Sequence, residues 1–298
     1  MRVLVTGGAG FIGSHVVEAY LAAGYEVAVL DDLSTGAVGN VPDSVPFFRA
    51  DVRDIKAVRA ALEEFRPLVV NHHAAKVDVA TCEEDPETVA AVNVFGTANV
   101  LNAAAAAGVL GFIFASSGGA IYGECSERAQ EEDPLDPVGV YGQTKVEGEE
   151  LLARAEGMAV AILRYANVYG PRARAGVIPA FVFASHEQKR PTIYGDGEQQ
   201  RDFIHVRDVA RANLLALEAL RPGTRIVCNV ASGEAVTVNW LLAHIVAEYR
   251  PRRPGEIGCS LLAIGQARRL LGFDATVSLE EGLAESREVD EEERQRVG

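Results

Sequence analysis

The sequence predicts an α/β fold: a doubly wound parallel sheet followed by a smaller C-terminal lobe. Three observations carry this. First, the chain opens with a β-branched run, RVLVT (2–6), then GGAGFIG (7–13), then an apolar-periodic stretch, 11–23. That order reads as buried strand, tight turn and helix. Second, further strand-like runs recur at 26–30, 46–50, 68–71 and 111–115, with helical segments between them. Alternating strands and helices imply a parallel sheet covered on both faces. Third, the residues from about 166 onward read as a smaller lobe with no clean boundary. Residues 1–165 are therefore expected to form the first domain and 166–298 a second lobe, with 203–219 crossing back onto the sheet.

The composition suits a globular enzyme. Of 298 residues, 48% are hydrophobic and 23% charged. The net charge of −14 argues against a broad nucleic-acid surface. An anionic ligand then needs a local cluster of basic groups. The start of the chain lacks the pattern of a secretory leader. No apolar run is read as approaching the roughly 18 residues of a membrane span. Cys82, Cys125, Cys228 and Cys259 are far apart in sequence and have no metal-ligand spacing. They are expected to be reduced thiols of a cytoplasmic protein, and no metal site is expected.

Gly7, Gly10 and Gly13 form G-x-x-G-x-x-G between strand and helix. Glycines there let the backbone approach a pyrophosphate lying on the helix N-terminus. Phe11 and Ile12 are expected to pack this helix on the sheet. The second strand ends at Asp31-Asp32, and Asp31 lies 18 residues beyond Gly13. An acid at that place binds ribose hydroxyls and repels a 2′-phosphate, so the Rossmann-type unit is expected to take NAD, not NADP. Asp51 and Val52 follow the third strand and are candidates to bracket the adenine. Ala74 and Ala75 follow the fourth, where small side chains let a cofactor lie close.

Ser117 ends the fifth strand, and YGQTK (141–145) follows 24 residues later. Tyr141 and Lys145 share one face of a helix. A nearby ammonium lowers a phenol's pKa from its usual value of about 10, so the pair can form a base.

Together these motifs resemble the extended short-chain dehydrogenase/reductase family, and within it the UDP-hexose 4-epimerases. The resemblance covers nearly the whole chain. It runs through TGGAGFIGSH (6–15), DDLSTG (31–36), HHAAKVDVATCEEDP (72–86), NVFGT (93–97), SSGGAIYG (116–123) and YGQTK (141–145). It continues through LRYANVYGPR (163–172), PTIYGDGEQQRDFIHVRDVA (191–210), NVASGE (229–234) and RRPGE (252–256).

The resemblance implies the following roles. Tyr141 is the base toward the sugar C4 hydroxyl. Lys145 lowers its pKa and bonds the nicotinamide ribose. Ser117 bonds the sugar O4, with Ser116 as second choice. Asp32, Ser34, Asn93 and Tyr165 join the cofactor contacts. Asn167, Arg201 and Arg253 hold a nucleotide diphosphate, and Thr192 and Tyr194 approach the uracil. His205 is read as structural. A gate position seven residues after the second arginine clamp falls at Ser260, a small residue of the kind associated with N-acetylated sugars. UDP-glucose and UDP-galactose are the expected substrates, with UDP-GlcNAc and UDP-GalNAc also admitted.

Helices near 87–107 and 142–156 are expected to pair in a homodimer. A UDP-glucuronate 4-epimerase is the alternative, with Arg172 and Arg174 as carboxylate partners. A sugar-nucleotide dehydratase or decarboxylase of the same family is a further rival. Against dehydration, Ser117-Gly118-Gly119-Ala120-Ile121 lacks the acid pair that step needs. An NAD-sensing regulator on the same fold would have no need of the Tyr-Lys pair.

Overall fold

The computed structural model describes residues 1–186, 189–242, 247–252 and 257–286. In chain order the strands are β1 (Arg2–Thr6), β2 (Glu26–Asp31), β3 (Phe47–Arg49), β4 (Val69–His72), β5 (Gly111–Ser117), β6 (Ala159–Tyr165) and β7 (Asn167–Tyr169). They continue as β8 (Thr192–Tyr194), β9 (Gln200–Arg201), β10 (Phe203–His205), β11 (Arg225–Val230), β12 (Val236–Thr237), β13 (Glu248–Arg250) and β14 (Cys259–Ser260). The helices are α1 (Phe11–Ala22), α2 (Ile55–Phe65), α3 (Val79–Glu84), α4 (Pro86–Ala90), α5 (Thr97–Ala106) and α6 (Gly118–Ile121). After them come α7 (Gly139–Ala153), α8 (Val177–His186), α9 (Val206–Ala219), α10 (Val238–Leu241) and α11 (Gly265–Leu271).

The large sheet has the order β11-β6-β5-β4-β1-β2-β3, every neighbour parallel. All but the edge strand β3 are buried on both faces, so the period-2 alternation divides each between two cores. Val3, Val5, Val27, Val29, Ile113 and Leu163 enter the core that also contains Val16, Val17 and Val209 of α1 and α9. Leu4, Ala28, Leu30, Val70, Phe112, Phe114 and Ile162 enter the one with Val58, Leu62 and Val100 of α2 and α5. The sheet is thus the middle layer of three, as the sequence predicts. Strand order reverses between β1 and β4. In open α/β sheets that reversal opens a crevice at the carboxyl ends of the strands, where ligands bind.

The return to this layer is longer than 203–219. α9 packs on α1, and β11 then pairs with β6 from Arg225↔Val160 to Val230↔Tyr165. The remaining short sheets, β10-β7, β12-β9-β14 and β13-β8, surround a separate cluster of Tyr169, Ile178, Phe181, Ile193, Phe203 and Val238.

One sequence expectation needs correction. Residues 86–106 form a single helical run, α4 and α5 joined by a π-helical turn at Ala91–Gly96. By length and composition this run is apolar enough to span a membrane, with a mean hydropathy of 1.4 over its best window. The sequence reading undercounted it because Asn and Thr interrupt the apolar residues. It packs against α2 and α7.

Candidate active site

The turn after β1 is drawn tight by its glycines. Gly7 has φ +69°, and a Cβ there would stand 2.6 Å from the Ala74 nitrogen. Gly13 faces the Gly7 carbonyl so closely that a side chain would strike it. Gly10 caps α1 without a side-chain partner, so the first-turn N–H groups of this helix keep their donors for an anion. Phe11 sets its ring edge-on to His15, and Ile12 packs against the core.

Asp31 ends β2 beside this turn. Its carboxylate accepts from the Ala9 N–H at 3.0 Å and the Leu33 N–H at 2.8 Å. Burial pushes its pKa up, while those two N–H groups pull it down. Asp32 instead closes the next turn, accepting from the Ser34 N–H at 2.8 Å. A cradle that only glycine fits, an open helix N-terminus and a buried acid at the end of the neighbouring strand suit a dinucleotide. Around it, the Asp51 carboxyl is held low chiefly by its hydrogen bond from Arg53, 2.6 Å away. Val52 is buried against Gly96. Ala74 and Ala75 are half-buried at the end of β4. Asn93 sits in the π-helical turn and bonds the Lys76 N–H and carbonyl and the Thr144 hydroxyl. Tyr165 is buried, accepts from Asn213 at 2.8 Å and stacks on His73.

α7 begins at Gly139, three residues before the expected 142, so Tyr141 lies in its first turn. The Ser117 hydroxyl lies close enough to the Tyr141 phenol to draw its pKa down. Lys145 is buried one turn on; its Nζ donates to the Ala115 carbonyl at 2.7 Å and lies 5.7 Å from the centre of the Tyr141 ring. The expected lowering of the phenol does not appear. Burial pushes Tyr141 up to about 12, with the Ser117 bond pulling the other way. Burial brings Lys145 down to about 8, opposed by Glu149. Desolvation dominates at the phenol, so a further positive charge is needed to favour the phenolate. Ser116 is buried and donates to Glu149 at 2.5 Å. Of the two serines, only Ser117 is turned toward Tyr141.

Two residues beyond Ser117, a Cβ built on Gly119 would lie 4.0 Å from both Asn167 Oδ1 and Ser260 Oγ. Asn167 is held by the Asp202 carbonyl, which accepts from its backbone N–H and from Nδ2. Arg201 reaches the Ile257 carbonyl at 2.6 Å. Thr192 and Tyr194 lie on β8, half-buried. Arg253 lies outside the described residues. Arg172 does not face the cleft as a free cation: it pairs with Glu18 at 2.5 Å and Ser14 Oγ at 3.0 Å on α1.

Sequence reasoning missed several residues. Asp202, fully buried, grips the Ser232 N–H and hydroxyl and the Gly233 N–H, fixing the turn after β11. Its signal was its place next to Arg201. Glu149 and Arg164 form a buried ion pair at 2.6 Å behind the helix, legible only as the repeat of Tyr141, Lys145 and Glu149 at intervals of four. Cys125 and Cys259, remote in sequence, are joined by a backbone hydrogen bond of 3.1 Å; both are free thiols. Among the described residues no cluster suited to a metal occurs.

A glycine cradle, a buried acid beside it and a Tyr-Lys-Ser group at the carboxyl ends of the strands form a site of the dinucleotide-dependent enzyme class. Residues 3–231 match the NAD dependent epimerase/dehydratase family, and the chain belongs to it. The chain is 36% identical to the UDP-glucose 4-epimerase of Mycolicibacterium smegmatis, with 96% of this chain and 97% of the relative covered. The UDP-glucose 4-epimerase of Thermus thermophilus, solved in complex with NAD, superposes with a TM-score of 0.90 at 41% identity, covering 97% and 98% of the two chains. That of Thermotoga maritima, solved with UDP-glucose, gives 0.93 at 38% identity, covering 99% and 100%.

Proposed function

We propose that this protein interconverts the C4 epimers of a UDP-sugar, UDP-glucose and UDP-galactose first, through NAD-dependent oxidation to a 4-keto sugar. The observation that carries this is the convergence of Ser117, Tyr141 and Lys145 between the glycine cradle and the Gly119–Asn167–Ser260 wall. Bound NAD supplies the reversible hydride acceptor and adds the positive charge the phenol needs. Tyr141 takes the proton from the C4 hydroxyl and later returns it. Ser117 bonds O4 and Tyr141 together, aligning donor and acceptor. Lys145 would hold the nicotinamide ribose when NAD is bound, and its charge would favour the phenolate. Asn167, Arg201 and Arg253 anchor the diphosphate, which suits the planar fork of arginine. The sugar, loosely held, turns its other face before reduction.

Small Ser260 leaves room for an N-acetyl group, so UDP-GlcNAc and UDP-GalNAc are second substrates. The protein works in the cytoplasm as a homodimer. Phe95, 65% exposed on the apolar run 86–106, marks the face that a second copy covers with its own 86–106 and 139–153 helices. Product analysis by NMR with UDP-galactose, UDP-GalNAc and UDP-glucuronate, with and without NAD, tests the reaction. C4 epimers of the first two are expected; none from any substrate overturns it. Light scattering tests the dimer.

A further inference from the structure

Three consecutive residues of β5 meet three residues of α7 spaced one turn apart. The Ala115 carbonyl accepts from Lys145, Ser116 donates to Glu149, and the Ser117 hydroxyl acts on the Tyr141 phenol. The proposed reaction uses the first and third of these pairs. The second has no assigned role, yet it is the most heavily built. Glu149 is 7% exposed, and a carboxylate is seldom so buried unless paired. Arg164 holds it through Nε at 3.0 Å and Nη2 at 2.6 Å. Arg164 spends Nη1 on the Tyr122 hydroxyl and the Glu131 carbonyl, at 2.7 and 3.0 Å.

The surroundings of Lys145 show what this carboxylate does. On α7 the ionisable groups near it are Tyr141 and Glu149. At the end of β4 they are His72 and His73, both pushed down to about 3 by burial and by Lys145 itself, hence neutral. On β6 they are Arg164 and Tyr165, the tyrosine being neutral through burial. Cys82 of α3 faces Tyr141, and its thiol is pushed up by burial. Among the described residues, Glu149 is the anion acting on a lysine otherwise surrounded by Phe114, Tyr141 and neutral imidazoles.

We propose that Glu149, clamped by Arg164 and Ser116, is a positioning residue for epimerisation that keeps the Lys145 ammonium charged and seated on the Ala115 carbonyl. This rests on the reaction assigned above. The buried ion pair is then more than a fold element: a charge on one helix turn acts on the next. Without Glu149 the value for Lys145, already brought down by burial, falls further. A neutral lysine can neither favour the Tyr141 phenolate nor donate as an ammonium to a ribose oxygen.

The chain has four lysines, Lys56, Lys76, Lys145 and Lys189, so a protein carrying 13Cε-lysine gives a readable NMR titration. Lys145→Arg assigns the Lys145 signal. The variants are Glu149→Gln, Glu149→Asp and the double change Glu149→Gln/Arg164→Met. The double change leaves no buried guanidinium without a partner, which alone can unfold a chain. The Lys145 midpoint is expected to fall by about one unit or more in Glu149→Gln, to fall by less in the double variant, which also removes the Arg164 charge, and to be restored in Glu149→Asp. The alkaline limb of kcat should move down with it while KM stays put. A Lys145 midpoint unchanged in the folded variants overturns the proposal, even if activity drops. A midpoint that moves in a protein without epimerase activity upholds the Glu149–Lys145 link and refutes the reaction instead.

Discussion

Gly119 and Ser260 are neighbours in space, with 4.0 Å between the Ser260 hydroxyl and the place a Gly119 methyl would take. Asn167 Oδ1 stands at the same distance, so the three mark one wall beside Ser117. The first prediction follows from the small size of the Ser260 side chain in that wall. Ser260→Tyr should fill it, lowering kcat/KM for UDP-GalNAc by roughly 10- to 100-fold while changing UDP-galactose turnover by less than about threefold. Steric exclusion of this size corresponds to about 1–3 kcal/mol. Competing the two substrates in one tube measures the ratio directly. Equal losses for both would mean that Ser260 does not line the sugar pocket.

Arg172 supplies the second prediction. Its guanidinium is committed to Glu18 and Ser14 on the cofactor-side helix, and its backbone holds φ +69°. It cannot serve a uronate carboxylate without breaking that ion pair. UDP-glucuronate should therefore be turned over at least about tenfold more slowly than UDP-galactose, a cost of about 1.4 kcal/mol. Arg172→Gly, which also frees the backbone, should leave the ratio of the two unchanged. A variant that selectively loses uronate turnover would restore Arg172 as a substrate ligand.

Much of this was readable in the chain. β1, β2 and β5 announce themselves because burial on both faces makes them continuous apolar runs. The turn at Gly7 and Gly13 is legible because close backbone approach admits only glycine. The start of α7 was not: Val138 offers no side-chain cap, so nothing local marks Gly139 as its first residue. β11 was missed because its place is decided by pairing with β6, a partner 65 residues earlier in the chain. Glu149 had the right spacing, but only Arg164 and Ser116, brought by other strands, show that it points inward.

Asp208 allows a stability prediction remote from the cleft. It is buried in the first turn of α9 and accepts from the Thr276 N–H and hydroxyl, the Val277 N–H and Arg211. Burial alone would raise its pKa, but these bonds together bring it below the usual value. A depressed carboxyl stabilises the fold fully above its unfolded pKa of about 3.9 and loses that contribution as pH falls through the folded value. Asp208→Asn should cost about 1.5–3 kcal/mol at pH 7, the range for hydrogen bonds to a charged group. Urea unfolding of both proteins should show that gap closing at pH values below the Asp208 titration. A gap independent of pH would mean that shape, not charge, matters there.

Tyr141 carries the last prediction. Burial lifts its phenol to about 12, and the Ser117 bond is what pulls it back toward its ordinary value. A base acts in its deprotonated form, so raising the phenol's pKa moves the acid limb of kcat to higher pH. Ser117→Ala should do this and lower kcat at pH 7 by roughly 10²- to 10⁴-fold, the usual share of a positioned proton-transfer group. Tyr141→Phe should remove activity without a pH at which it returns. In neither variant should NAD binding, followed by isothermal titration, weaken by more than about threefold, because the glycine cradle and Asp31 are untouched. The decisive comparison is the position of the acid limb. If Ser117→Ala lowers kcat equally at every pH, Ser117 holds the sugar oxygen alone. A limb displaced upward makes the Ser117–Tyr141 bond part of the base.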